Sequence, residues 1–199
     1  VPTDPATPTL DPATPTTAVS TREPVDSDVF LPLAMNRVCQ EAVAPVDTVL
    51  LIDTSSSMAG LDGGTSKLEA AQRASAAFVR LLDPSRDRAA VIGFDAEPSI
   101  AQVLTADGSS LIAAIDGLTL GAGTRIDLAL EAAIDVLAAG PERARAVVLL
   151  TDGRPDAGSE TATRDRAAAL RATGVRLFAV GLGADVDAAL RTDLAGDGF

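Results

Sequence analysis

Beyond an N-terminal tail, short apolar runs alternate with longer segments whose apolar positions repeat at helical spacing. Residues 48–52 and 146–150 are almost entirely apolar, which predicts strands buried on both faces of a sheet. Residues 89–94 and 175–180 predict two more strands, and residues 100–104 predict a short strand that forms a hairpin with 89–94. The alternation predicts an α/β domain with a doubly wound, mostly parallel sheet and helices on both faces.

Helices are predicted between these strands. Ser66 and Glu69 form a capping box, and the apolar positions that follow predict a helix as far as Asp83-Pro84. A second long helix follows the Gly-rich loop 121–124 and is expected to stop at Gly140-Pro141. The remaining predicted helices are at residues 110–117, 160–173 and 185–194.

The first 45 residues differ in composition from the rest. Residues 4–9 (DPATPT) recur as residues 11–16, which predicts an extended Pro/Thr-rich stalk or linker rather than a packed core. Within the tail, residues 29–35 are apolar enough to dock on the domain as an edge strand or an irregular segment. The expected organisation is therefore a stalk at residues 1–45 and a domain at residues 46–199.

Charge and composition exclude several functions. The formal net charge of -12 disfavours nucleic acid and anionic membrane surfaces as partners. The absence of His excludes Ser-His-Asp and Cys-His catalysis and His-ligated zinc. Cys39 is the single cysteine, so it is either a passive thiol or paired with another chain. No run is long enough to span a bilayer, so no direct membrane insertion is expected.

Oxygen-bearing side chains follow the two most apolar runs. Asp53, Ser55 and Ser57 come directly after the first run, Asp152 comes after the run 146–150, and Thr124 follows a Gly-rich loop. Ligands of open α/β sheets bind at the carboxyl ends of the strands, where these residues are expected to converge. Hard oxygen ligands suit Mg²⁺, or Mn²⁺ or Ca²⁺, rather than zinc or copper. Two carboxylates balance a dication, and octahedral coordination leaves a position for an outside carboxylate.

Each piece also has a purely structural interpretation. The serines after Asp53 could form an ordinary polar turn, Thr124 could cap a helix with support from Asp127, and Asp152-Gly153 could be a simple turn. The order, spacing and strand context of the pieces together favour the metal site. Asp95, which follows the second predicted strand, is interpreted as a turn residue or as a hydrogen-bond acceptor behind the metal ligands.

The motifs Asp53-x-Ser55-x-Ser57, Gly123-Thr124 and Thr151-Asp152-Gly153 resemble the metal-ion-dependent adhesion site (MIDAS) of von Willebrand factor type A (VWA) domains. The resemblance implies a Rossmann-like fold over residues 46–199, with the last helix of the family absent from this chain. It also implies that all five oxygen-bearing residues hold Mg²⁺ directly or through water. In the family, a Glu or Asp of a protein ligand then completes the coordination.

Three functions follow from these observations. The leading hypothesis is a non-enzymatic adhesion module, extracellular or on a bacterial-type cell surface, with any signal peptide or anchor outside this chain. The first alternative is a Mg²⁺-dependent phosphotransferase with Asp53 as nucleophile. It is disfavoured because no Lys lies at either acidic motif and no phosphate-binding Gly-rich loop is present. The second alternative is an intracellular VWA subunit of an ATPase-linked assembly, which the stalk-like tail disfavours.

Overall fold

The computed structural model describes residues 44–138, 143–153 and 155–183. Residues 1–43 of the predicted stalk, which include its apolar segment 29–35 and Cys39, lie outside the described residues. The same is true of the expected helix stop at Gly140-Pro141 and of the predicted last helix at residues 185–194.

A five-stranded sheet forms the centre of the domain. Its strands are β1 (Val46–Asp53), β4 (Arg88–Phe94), β5 (Pro98–Thr105), β6 (Ala144–Thr151) and β7 (Arg176–Gly181). Their order in the sheet is β5-β4-β1-β6-β7. Every neighbouring pair is parallel except β4 and β5, which form the predicted antiparallel hairpin. The doubly wound α/β fold expected from the sequence is therefore confirmed.

Helices cover both faces of this sheet. They are α1 (Lys67–Val79), α2 (Gly108–Asp116), α3 (Ile126–Leu137) and α4 (Glu160–Ala172). On β1, Leu50 and Ile52 belong to an apolar cluster with residues of α1 and α2. Val49 and Leu51 belong to a second cluster with residues of α3 and α4 on the opposite face. No helix in the described part of the chain has both the length and the apolar character needed to cross a membrane.

The segment between β1 and α1 contains small elements that the sequence pattern did not predict. A 3-10 helix, Ser56–Ala59, is followed by a two-stranded hairpin of β2 (Leu61–Asp62) and β3 (Thr65–Ser66). The Ser66 hydroxyl accepts a hydrogen bond from the Glu69 amide, as the capping box predicts. The helix α1 ends at Val79, earlier than predicted, because the next residues form tighter turns.

The order of the strands places a crevice at the end of β1. The chain goes from β1 to β4 on one side and later crosses to β6 on the other side. The carboxyl ends of β1 and β6 therefore meet at the point where the strand order reverses, which is where ligands bind in open α/β sheets.

Candidate metal centre

Asp53 is the last residue of β1, and its side chain is fully buried. One carboxylate oxygen, Oδ1, accepts a hydrogen bond of 2.8 Å from the Ser55 amide. The other, Oδ2, accepts a hydrogen bond of 2.5 Å from the Thr151 hydroxyl at the end of β6. Burial raises the pKa of Asp53, the charge of Asp152 adds to this effect, and the hydrogen bonds from Thr151 and Ser55 oppose it. The Asp53 carboxylate thus joins the two strand ends.

A chain of hydrogen bonds connects the serines to Asp152. The Ser57 hydroxyl donates to Asp152 Oδ1 at 2.7 Å, and the Ser55 and Ser57 hydroxyl oxygens are 3.0 Å apart. Since the Ser57 proton is directed at Asp152, Ser55 is the donor within the serine pair. Each hydroxyl oxygen therefore keeps a lone pair for a further interaction. Four of the five predicted ligands are therefore brought together, namely Asp53, Ser55, Ser57 and Asp152.

The loop that carries Thr124 is attached to the same edge of the sheet. The Gly121 amide donates to the Thr54 carbonyl at 2.7 Å, and the Arg125 amide donates to the Asp95 carbonyl at 2.8 Å. The Asp156 amide donates to the Thr124 carbonyl at 3.0 Å. These bonds join the loop to the segments that follow β1, β4 and β6. No hydrogen bond joins the Thr124 side chain to the other four predicted ligands, all of which are among the described residues.

The sequence of this loop is restricted by close packing. A Cβ atom at Gly121 would overlap the Asp95 carboxylate, and Gly123 has a φ of 93°, which favours glycine. The helix α3 starts at Ile126, with Arg125 at the N-cap position. Thr124 therefore does not cap this helix, contrary to the purely structural interpretation of that residue. Asp127 pairs instead with Arg125 at 2.8 Å. Asp95 is a turn residue, as predicted, because its carboxylate accepts the Glu97 amide.

Two residues at the site were missed by sequence reasoning. Thr151 stands in the recognised motif, but its bond to Asp53 spans 98 positions and depends on the register of β1 and β6. Lys67, the first residue of α1, has its Nζ atom 2.7 Å from Asp152 Oδ2. The expectation that no Lys lies at either acidic motif is therefore wrong, because α1 brings in a lysine 85 positions before Asp152. The signal that could have pointed to Lys67 was the capping residue Ser66, which already located the start of α1.

The residues present fit a hard dication. Asp53 is fully buried, and no salt bridge joins it to a Lys or Arg in the described part of the chain. A buried carboxylate without a cation is unfavourable, so a metal ion would stabilise it. No group of three Asp, Glu, Cys or His side chains able to hold a metal occurs within the described ranges. The donor set is instead two carboxylates with serine hydroxyls, and hard oxygen donors of this kind suit Mg²⁺.

Comparisons with known proteins agree with this fold. The sequence matches the model of the von Willebrand factor type A domain family over residues 47–198. Matrilin-1 from Mus musculus is 29% identical over 179 residues, which is 83% of this chain but only 34% of that protein's length. The solved von Willebrand factor type A structure from Catenulispora acidiphila has a TM-score of 0.69 at 21% identity and covers 76% of this chain and 36% of its own.

A second solved structure carries a metal. Proximal thread matrix protein 1 from the mussel byssus, with a zinc-occupied MIDAS motif, has a TM-score of 0.65 at 22% identity. The match covers 77% of this chain and 39% of that one. Because the family match covers most of the sequence, this chain belongs to the von Willebrand factor type A domain family. The family consists of protein-interaction modules.

Proposed function

We propose that this domain is a non-enzymatic module that binds a protein partner through a divalent metal. Asp53, Ser55 and Ser57 would hold Mg²⁺ directly or through water, and Thr124 and Asp152 would complete the set. The observation that carries the proposal is the fully buried Asp53 carboxylate, which has hydrogen-bond donors but no salt bridge to a described Lys or Arg.

The hydrogen bonds around Asp53 and the serines support this role. The Thr151 hydroxyl and the Ser55 amide fix the orientation of the Asp53 carboxylate, as outer partners of a metal ligand commonly do. Asp152 accepts a hydrogen bond from the Ser57 hydroxyl, so the lone pairs of the Ser57 oxygen face away from Asp152. When bound, the metal would supply an electrophilic position for an outside carboxylate.

The proposed partner is a protein that offers a Glu or Asp side chain. A partly neutralised dication attracts such a group, whereas the net charge of -12 repels nucleic acid. Mn²⁺ and Ca²⁺ are also acceptable to an all-oxygen set. We place the protein outside the cell or on its surface, in keeping with the Pro/Thr-rich tail.

A metal titration tests the site. At about one hundred times its dissociation constant, Mg²⁺ should stabilise the folded protein by about 2.7 kcal/mol, or a melting temperature increase of roughly 5–10 °C. Asp53→Asn should remove the increase, while Asp116→Asn should keep it, because Asp116 is an exposed residue at the end of α2 and belongs to none of the motifs of the site. A melting temperature of the unmodified protein that is unchanged by Mg²⁺, Mn²⁺ and Ca²⁺ would refute the proposal.

A binding assay tests the role. Candidate surface proteins should be retained by the immobilised domain in Mg²⁺, released by EDTA, and not retained by Asp53→Asn. Release should also follow when the partner's acidic residue is replaced by its amide. Turnover of p-nitrophenyl phosphate by the unmodified protein, lost in Asp53→Asn, would instead favour the phosphotransferase alternative.

A further inference from the structure

Lys67 places a positive charge inside the candidate metal centre. Its Nζ atom is 2.7 Å from Asp152 Oδ2, while Ser57 occupies the other oxygen of the same carboxylate. The Lys67 side chain is only 15% exposed and that of Asp152 only 2%. An ion pair with so little contact with solvent is weakly screened, so its charge acts on the whole centre.

The surrounding backbone leaves a narrow space for the lysine. A Cβ atom at Gly183, which follows β7, would lie 2.9 Å from Lys67 Cε, and one at Gly60 would lie 3.5 Å from the same atom. The Lys67 amide donates to the Gly60 carbonyl at 3.0 Å, and the Leu182 amide donates to the Thr151 carbonyl at 3.0 Å. Two loops that lack side chains at the contact thus enclose the lysine and direct it to Asp152.

The charges determine what the lysine does. Asp53 and Asp152 contribute two negative charges and Lys67 one positive charge, so these groups together carry one negative charge. A bound dication would change that total to one positive charge, whereas a centre without the lysine would become neutral. Lys67 therefore opposes the metal but favours an anion that arrives after it.

We propose that Lys67 sets the charge of the centre, so that the metal binds more weakly and the metal-loaded centre binds a carboxylate more tightly. This inference rests on the metal-dependent function proposed above. Before metal binds, the same ammonium group neutralises Asp152. The lysine thereby makes the centre specific for an acidic ligand while keeping metal binding reversible.

The test compares Lys67→Met with Lys67→Arg, which keeps the charge. Calorimetric titration with Mg²⁺ should give a dissociation constant about tenfold lower for Lys67→Met than for the unmodified protein. Acetate, followed by broadening of its methyl proton signal with the Mn²⁺-loaded protein, should bind several-fold more weakly to Lys67→Met. For Lys67→Arg, the dissociation constants for Mg²⁺ and for acetate should both stay within about threefold of those of the unmodified protein.

The opposite signs separate a charge effect from damage to the fold. In EDTA, Lys67→Met should melt at a lower temperature, because Asp152 loses its ion pair, and yet should gain more from Mg²⁺. If metal and acetate affinity fall together, or if Lys67→Met binds Mg²⁺ no more tightly than the unmodified protein, the inference is overturned while the metal site stands. If the unmodified protein binds no divalent metal, both the proposed function and this inference fail.

Discussion

The two ends of β1 each carry a buried aspartate, and the two have different surroundings. Asp47, near the start of the strand, is 1% exposed and accepts hydrogen bonds from Arg88 at 2.6 and 2.9 Å and from Arg143 at 2.7 Å. Asp53, at the other end, is 0% exposed and accepts hydrogen bonds from a hydroxyl and an amide. Burial alone would raise the pKa of both carboxyls. The two arginines lower the pKa of Asp47, whereas the pKa of Asp53 is raised.

The comparison shows that neighbouring charges determine whether a buried aspartate stabilises the fold or is suited to bind a ligand. Asp47 lies at the amino edge of the sheet, where two cations compensate its charge within the fold. Asp53 lies at the carboxyl edge, where the sheet leaves a crevice, and a hydroxyl and an amide take the place of cations around its carboxylate. A carboxylate of the first kind stabilises the protein by itself, and one of the second kind is suited to a ligand.

The largest expected effect is the loss of the Asp47 ion pairs. Asp47→Asn should lower the free energy of unfolding by about 2–3 kcal/mol at pH 7, because it leaves Arg88 and Arg143 without their counter-ion. The expected loss is smaller than for a fully buried ion pair, since both arginines are partly exposed. Urea denaturation measures the change, and Asp116→Asn, at an exposed position, is the control. A loss no larger than that of the control would mean that the two ends of β1 do not differ.

The pH dependence of the stability of the same variant tests whether the pKa of Asp47 is lowered in the folded protein. Because the folded pKa of Asp47 is lowered below its usual value of 3.8, its stabilisation is present above that value. The stabilisation is lost as the pH falls through the folded pKa. The difference between the unmodified protein and Asp47→Asn should therefore be constant from pH 7 to about pH 5 and shrink below about pH 4. A difference that grows on acidification would contradict the role of the arginines.

A smaller effect is expected at the Asp53 end when its hydroxyl partner is removed. Thr151→Val should cost about 1–2 kcal/mol in EDTA, because Asp53 Oδ2 then loses its donor in a buried position. Thr151→Ser keeps the hydroxyl and should retain most of the stability, as chemical denaturation of both variants can measure. Because Thr151→Val keeps the methyl group and removes only the hydroxyl, a loss in Thr151→Val no larger than that in Thr151→Ser would contradict a stabilising bond from Thr151 to Asp53.

The sequence was sufficient to predict the sheet and the position of Asp53 at the end of a strand. Apolar runs indicate strands from local sequence alone, and the end of a run indicates the end of its strand. The partners of the two aspartates could not be predicted. Arg88 meets Asp47 across 41 positions, and Arg143 meets it across 96. Such contacts depend on strand order and register, which no local pattern encodes. Lys67 was missed for the same reason, although its helix was predicted.

The smallest effect is expected when the Asp53 charge itself is removed in the absence of metal. Asp53→Asn should change the free energy of unfolding in EDTA by no more than about 1 kcal/mol, and in either direction. The amide retains an oxygen for the Ser55 N–H, and the Thr151 hydroxyl can rotate to accept a hydrogen bond. Denaturation beside Asp47→Asn measures the contrast. A loss as large as that of Asp47→Asn would show that Asp53 is compensated within the fold, and its reason to bind a metal would disappear.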